Sequence, residues 1–425
     1  MLKTLINAWK VPDLRKRILF TLLILFIYRL GTHVPIPGIN SDYVASTISS
    51  STLFSNLDIL VGGALTSLTV FALGILPYIN SSIIMNLLPM AIPALERMVK
   101  EGPEGRKKIA SVTRYLTVVL GLFMAGGVVI SLGDEALIEP TLFNKFTVVM
   151  CLTAGTAFIM WLGEKINEQG IGNGISLIIF ISIVSRLPQM FGLMIQNTFV
   201  ESPRLMTLGT FFAIIGILLL VLVGITFIDL GERRIPVQYA KRVVGRKMYG
   251  GQSTYIPMKI NQSGVLPLIF AMTLMQFPAL LIRFFAKETS GMSIFYNAYM
   301  AAGTWSYAIV YALLIFFFTF FYTQISFNPI DVSKNIQQNG GFILGIRPGK
   351  PTSDYLAKIL AKVTLFGALF LALIAAVPTL MKTLSSVAGG IFGATSLLIM
   401  VNVSLETTKQ IESQLLMRHY KGFLK

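Results

Sequence analysis

The chain has 425 residues, of which 54% are hydrophobic and only 13% charged, against about 25% charged in soluble domains. That balance excludes a soluble globular enzyme and points to a polytopic membrane protein. The formal net charge of +16 suits nucleic acid, anionic lipid or membrane topology, so the placement of the charges has to decide among them.

The start, "MLKTLINAWKVPDLRKR", is basic, and the apolar run after it lacks a small-residue cleavage site. It is expected to stay as a first span. Charge-poor windows of about 15 to 25 residues fall near 18–36, 70–95, 115–132, 146–163, 171–187, 205–228, 260–282, 304–327, 363–381 and 383–405. They predict ten transmembrane helices. With the N-terminus inside, 28 of the 35 Lys and Arg residues fall on the cytoplasmic side. The other seven are Arg29, Lys145, Arg186, Arg204, Arg283, Lys287 and Lys382. This positive-inside bias predicts that both termini are cytoplasmic.

One stretch does not fit a simple count. Ile59 to Leu95 holds 37 uncharged residues, which as one helix would reach roughly 55 Å across a hydrocarbon core about 30 Å thick. Its flanks, "VPDLRKR" before the first span and "ERMVKEGPEGRKK" after the second, both belong inside, so only one crossing remains for it. The surplus, about Asp58 to Leu68 with Gly62 and Gly63 together, is expected to dip into the membrane from outside without crossing. Lipid cannot satisfy the backbone of such a segment, so it must be buried in protein or line a watery cavity. A pore is the implied setting.

Five windows precede Pro188 and five follow it. Two halves of odd span number sit in opposite orientations, the arithmetic of an inverted repeat. No residue-level similarity joins the halves, so span count alone sets the expected division into residues 1–190 and 191–425.

Chemistry finds little support. His33 and His419 are the only histidines and lie far apart, and the single Cys151 sits in an apolar run, so neither a His/Cys metal site nor an internal disulfide is expected. In "GIRPGKPTS" the first glycine position of a phosphate loop falls on Leu344 and Pro351 replaces the required Ser or Thr, which rules that motif out. "GIGNGIS" at 170–176 reads as a tight turn into the fifth span. No cofactor is implied, and any energy source must lie in a partner. Ionisable residues are nearly absent from the spans, with Arg29 and Asp229 near helix ends, which argues against the rival reading, a secondary solute transporter built from inverted repeats.

The spans do offer amides: Asn80, Asn86, Asn261, Gln262 and Asn402. They suit interhelical hydrogen bonds, or, for Asn86 and Asn261, a polar latch between the halves. Ile75 and Ile79, and Ile175 and Ile179, are spaced i, i+4 and so share helix faces. Such faces pack against core or lipid, or form an apolar constriction. The loops at 229–259 and 328–362 mix basic and turn residues, which fits plain positive-inside charge or docking to a polyanion or an acidic soluble motor.

Seven segments, in order along almost the whole chain, resemble one family: "YRLGTHVPIPGIN" (28–40), "GGALTSLTVFALGILPYINSSIIMNLL" (62–88), "EGPEGRKKI" (101–109), "GIGNGIS" (170–176), "GERRIPVQYAKR" (231–242), "GGFILGIRPGKPT" (340–352) and "FGATSLLI" (392–399). The family is SecY, the bacterial protein-conducting channel subunit. The resemblance implies an all-helical membrane channel, not an enzyme, with two five-helix halves around a pore. Secreted chains would cross it, and hydrophobic segments would leave sideways between the second and seventh helices.

The resemblance also implies specific residue roles. A pore ring would comprise Ile75, Ile79, Ile175, Ile179, Ile269 and Ile399. The plug helix would cover Leu57, Asp58, Ile59, Leu60, Val61, Gly62, Gly63, Ala64, Leu65, Thr66, Ser67 and Leu68. Asn86, Asn261 and Phe277 would belong to the lateral gate. Arg233, Arg234, Lys241, Arg242, Arg246, Lys247 and Arg347 would meet the ribosome or the SecA motor ATPase. The implied setting is the cytoplasmic membrane, with SecE, SecG, membrane lipids and signal-bearing polypeptides as partners. Two departures stand out: Leu344 where the family often has Pro, leaving that loop's shape open, and Ala394 where it often has Gly.

Overall fold

The computed structural model describes residues 2–50, 58, 61–196, 205–239, 242–244, 247–249, 253–285, 291, 296–300, 304–384 and 394–422. Helices dominate. α1 (Leu2–Lys10) stops one residue before α2 (Pro12–Gly31), where Pro12 has no N–H to continue α1 but suits a first turn. α3 (Ser41–Ser50) follows. α4 (Leu76–Ala91) breaks at Ile92, and α5 (Pro93–Lys100) leaves at a bend of 102° forced by Pro93. α6 (Pro103–Leu132) ends at Gly133, whose φ of +75° suits a glycine C-terminal cap. α7 (Leu142–Gln169) is capped by Thr141, whose hydroxyl accepts the Asn144 N–H at 3.3 Å.

α8 (Gly174–Gln196) begins at the Gly-rich turn, where the Asn173 side chain accepts from the N–H groups of Ile175 and Ser176. α9 (Leu205–Leu230), α10 (Leu266–Phe285), α11 (Trp305–Ser326), α12 (Pro329–Gln338), α13 (Lys350–Leu384) and α14 (Ala394–Gly422) complete the helices. Ten of these, α2, α4, α6 to α11, α13 and α14, fall on the ten charge-poor windows. Among the described residues, five helices are long and apolar enough to span a bilayer alone. Outward-facing Phe123, Phe143, Leu220, Phe227 and Leu373 are exposed, an apolar surface suited to lipid. The chain is a multi-pass membrane protein.

Two apolar cores lie side by side. One joins Leu65, Leu73, Ala125, Val128, Val148 and Leu152, and the other joins Ile225, Leu268, Tyr311, Ile315, Leu371 and Leu398. Between them runs a seam in which Ile75, Ile178 and Ile179 meet Ile399 and Val403. α8 runs through Pro188 to Gln196, past the division expected at residue 190.

The re-entrant stretch differs from a helix over 57–68. Asp58 is helical, but Val61 to Leu68 runs in turns, and α4 begins only at Leu76. Leu57, Ile59 and Leu60 lie outside the described residues. The cause is local: Gly62 and Gly63 take φ of +72° and +93°, and Leu68 takes +37°, values that stop a right-handed helix. The backbone there is satisfied by protein, with the Ile36 N–H donating to the Leu68 carbonyl at 3.3 Å and the Val70 N–H to the Val34 carbonyl at 3.1 Å.

Close backbone approach fixes α7 against this segment. A Cβ on Gly155 would stand 1.9 Å from the Val70 carbonyl oxygen, a clash with backbone rather than with a movable side chain. Gly155→Ala is therefore expected to cost about 1–3 kcal/mol through overpacking and to lower the melting temperature in detergent. An unchanged melting temperature would contradict this packing.

The two long loops fold as well. β1 (Glu232–Tyr239) pairs antiparallel with β4 (Ser253–Lys259), and β5 (Gly341–Phe342) adds to the other edge of β1; β2 (Arg242–Val244) and β3 (Lys247–Tyr249) form a separate hairpin. Ile235, Val237 and Met258 of the sheet pack with Ile336, Ile343, Leu356 and Leu360. One small core thus joins both loops to the start of α13.

Candidate pore constriction, plug and docking surface

Five of the six expected ring residues line one cavity. Ile75 immediately precedes α4 and Ile79 lies in its first turn, Ile179 comes from α8, Ile269 from α10 and Ile399 from α14, joined by Val61, Leu76 and Met272. Every lining side chain is apolar. The cavity holds about 20 Å³, where a single water needs roughly 10–15 Å³ by a 1.4 Å probe. Ile175 stands one turn before Ile179 but packs over Gly163 of α7, outside this lining. α8 and the turn before it are held in place by polar contacts to α2: the Tyr28 and Ser182 hydroxyls lie 2.7 Å apart in a buried hydrogen bond, and the Ile171 N–H of the turn donates to Thr21 Oγ1 at 3.0 Å.

The turned segment closes one side. Val61 is buried, borders the cavity and packs with Ala64 and Leu76. Asp58 is buried too; its Oδ1 accepts the N–H groups of Leu65 at 3.0 Å and Thr66 at 2.9 Å, and its Oδ2 is ion-paired with Arg186 of α8. Gly62 lies against the Ser182 backbone, and its carbonyl accepts from Arg29 Nη1 at 3.2 Å.

On the other side, toward the sheet, the lining turns polar. A cavity of about 350 Å³ is bordered by Asn173, Ser176, Asp229, Asn261, Gln262, Ser263, Asn402 and Glu406, with Lys259 and Lys409 beside them. Ser176 lies three residues before Ile179, and Asn402 three after Ile399, so each is about one helical turn from the ring on the same side. A wide polar cavity, the vestibule, thus lies about one helical turn from a narrow apolar one, the neck.

The expected latch between Asn86 and Asn261 is not formed. The Asn261 amide is buried and donates to Asp229 Oδ1 at 2.8 Å, because a carboxylate is the stronger acceptor. Asn86 is exposed on α4, beside Tyr322 of α11. Asp229 Oδ2, Asn261 Oδ1 and Ser263 Oγ have no protein partner, and all three residues border the vestibule, which has ample room for water. The side chain of Phe277, in α10, lies outside the described residues.

Of the expected docking cations, Arg233, Arg234 and Arg347 are exposed. Arg234 donates to Glu232 at 2.6 Å and sits 4.8 Å from the centre of the Tyr255 ring. Arg242 and Lys247 lie on the β2–β3 hairpin, of which only the backbone is described, and Lys241 and Arg246 lie outside the described residues. The loop carrying Arg347 turns through an Ile346 N–H to Ile343 carbonyl bond of 3.0 Å with Gly345 at φ +78°. This fits a type II turn, in which Pro is favoured at the second position but not required, so Leu344 is accommodated there.

The chain as a whole has counterparts among known proteins. The SecY family model matches residues 69–408. The protein translocase subunit SecY of Streptomyces galbus is 45% identical over the full length of both chains, and that of Mycobacterium tuberculosis is 41% identical, also over the full length of both. Among solved structures, "The structure of a protein conducting channel" shares the fold with a TM-score of 0.64 at 19% identity, covering 94% of this chain and 92% of its own. "Sec61 in the Canine ribosome-channel complex from the endoplasmic reticulum" has a TM-score of 0.62 at 17% identity, with the same coverage. A family match over most of the chain, with relatives above 40% identical from end to end, means that this chain belongs to the SecY family.

Proposed function

We propose that the chain is the pore-forming subunit of a protein translocase in the cytoplasmic membrane, with both termini cytoplasmic. It conducts unfolded polypeptides across the membrane and releases hydrophobic segments into lipid between α4 and α10. The observation that carries this reading is the meeting of isoleucines from both halves, residues 1–190 and 191–425, around one nearly closed apolar cavity.

The mechanism follows from solvation. An ion in a dry apolar neck would lose its hydration with nothing in return, so the neck blocks ions. An extended polypeptide fills the ring with its own side chains and displaces that need. Within the pore, a segment rich in Leu or Ile gains roughly 0.3–0.6 kcal/mol per such residue by moving into lipid, so sorting is a partition equilibrium. The driving force comes from partners. The SecA motor ATPase or the ribosome docks on the sheet and the Arg347 loop, while SecE and SecG complete the membrane complex.

Removal of residues 58–68 tests the plug directly. In vesicles carrying the chain with its SecE and SecG partners, the deletion is expected to increase resting ion leakage, since Val61 no longer backs the ring. Leakage equal to that of the wild type would contradict the assignment of this segment as plug.

A further inference from the structure

We infer that the Asp58–Arg186 pair sets how strongly an arriving polypeptide must engage the channel before the plug leaves, which makes these two residues determinants of substrate selectivity. The inference rests on the channel reading above. Asp58 is 2% exposed, and its carboxylate is spent inside the segment and on α8: Oδ1 on the Leu65 and Thr66 N–H groups, Oδ2 on the Thr66 hydroxyl and on Arg186. The Arg186 guanidinium lies over Gly63, where a Cβ would approach it to 2.8 Å. A second cation, Arg29 of α2, holds the Gly62 carbonyl.

Both cations belong to the first half. Toward the second half, the segment offers Val61 across the cavity from Ile269, Met272 and Ile399, a wholly apolar contact. The two sides of the plug therefore resist separation differently. The apolar seam parts by losing dispersion contacts and wetting apolar surface, with no polar group left unpaired, whereas pulling Asp58 from Arg186 strands a buried carboxylate and a largely buried guanidinium until water or the arriving chain replaces the partner. Opening then has two steps: the halves part first with the plug riding on α2 and α8, and the ion pair breaks second. A signal sequence that binds weakly completes the first step and fails the second.

Asp58→Asn separates charge from structure, because the Asn oxygen can still accept from the Leu65 and Thr66 N–H groups. The experiment compares wild type, Asp58→Asn, Arg186→Gln, the double variant and Arg186→Lys in vesicles with SecE, SecG, SecA and ATP. Two secretory substrates are used, one with an intact signal sequence and one whose apolar run is shortened. Each single variant is expected to raise transport of the shortened-signal substrate, relative to the intact one, by about tenfold, and the double variant by no more than either single. Arg186→Lys keeps the charge and should return most of the wild-type discrimination. Wild-type discrimination in both single variants would overturn the latch and leave the channel reading standing, as would additive effects in the double variant. Failure of the wild type to move the intact substrate would overturn the channel reading and the latch with it.

Discussion

Ile399→Asn is expected to raise resting ion leakage and to admit substrates with defective signal sequences. Ile399 is 3% exposed and borders the neck with four other ring isoleucines. An Asn there brings two N–H donors and a carbonyl acceptor into a cavity whose other lining side chains offer no partner. Leaving them unsatisfied in the closed state costs about 1–3 kcal/mol, equivalent to roughly 5- to 150-fold in the balance between closed and hydrated states. The amide is satisfied only by water, so the substitution wets the neck. A conductance equal to that of the wild type, with the protein folded and in the membrane, would remove Ile399 from the seal.

Arg347→Glu is expected to reduce SecA-driven or ribosome-driven transport about a hundredfold, because a like charge against an acidic partner costs several kcal/mol. The fold should survive. The Arg347 side chain is exposed, and the contact that shapes its loop uses the backbone, the Thr352 hydroxyl donating to the Arg347 carbonyl at 2.8 Å. Unchanged melting behaviour with lost transport would identify a docking charge. Wild-type transport would mean that the partner docks elsewhere.

The helices were legible because lipid imposes a simple rule, long runs without charge, and the ten windows obey it. The ring was not legible from spacing. Ile75 and Ile79 share a face, but so do many isoleucines here, and only family resemblance selected six of them. Five meet at the neck, while Ile175, with the same i, i+4 credentials, packs on Gly163 instead. The two folded loops left only a faint trace, the alternation of Ile235 and Val237 with exposed neighbours over a few residues.

Long-range polar pairs left none. Arg186 and Asp58 are separated by 128 residues, and hydropathy marked each as an isolated charge near a span. For Asn261, reading the amides as a set pointed to Asn86, whereas the nearby carboxylate of Asp229 wins the donor. In the re-entrant stretch, the paired Gly62 and Gly63 marked the segment that dips back, which was expected to be helical, and their positive φ values account for the turns found there instead.

The most direct test of a polypeptide path through the isoleucine neck is a site-specific crosslink. Ile79→Cys in a Cys151→Ser background places the only thiol at the cavity lining, and a secretory chain carrying a thiol-reactive probe is stalled in transit in vesicles with SecE, SecG, SecA and ATP. A specific adduct that requires both SecA and a signal sequence is the predicted result. Continued transport with no adduct at residue 79 would mean that the polypeptide takes another route, and the pore assignment would fall.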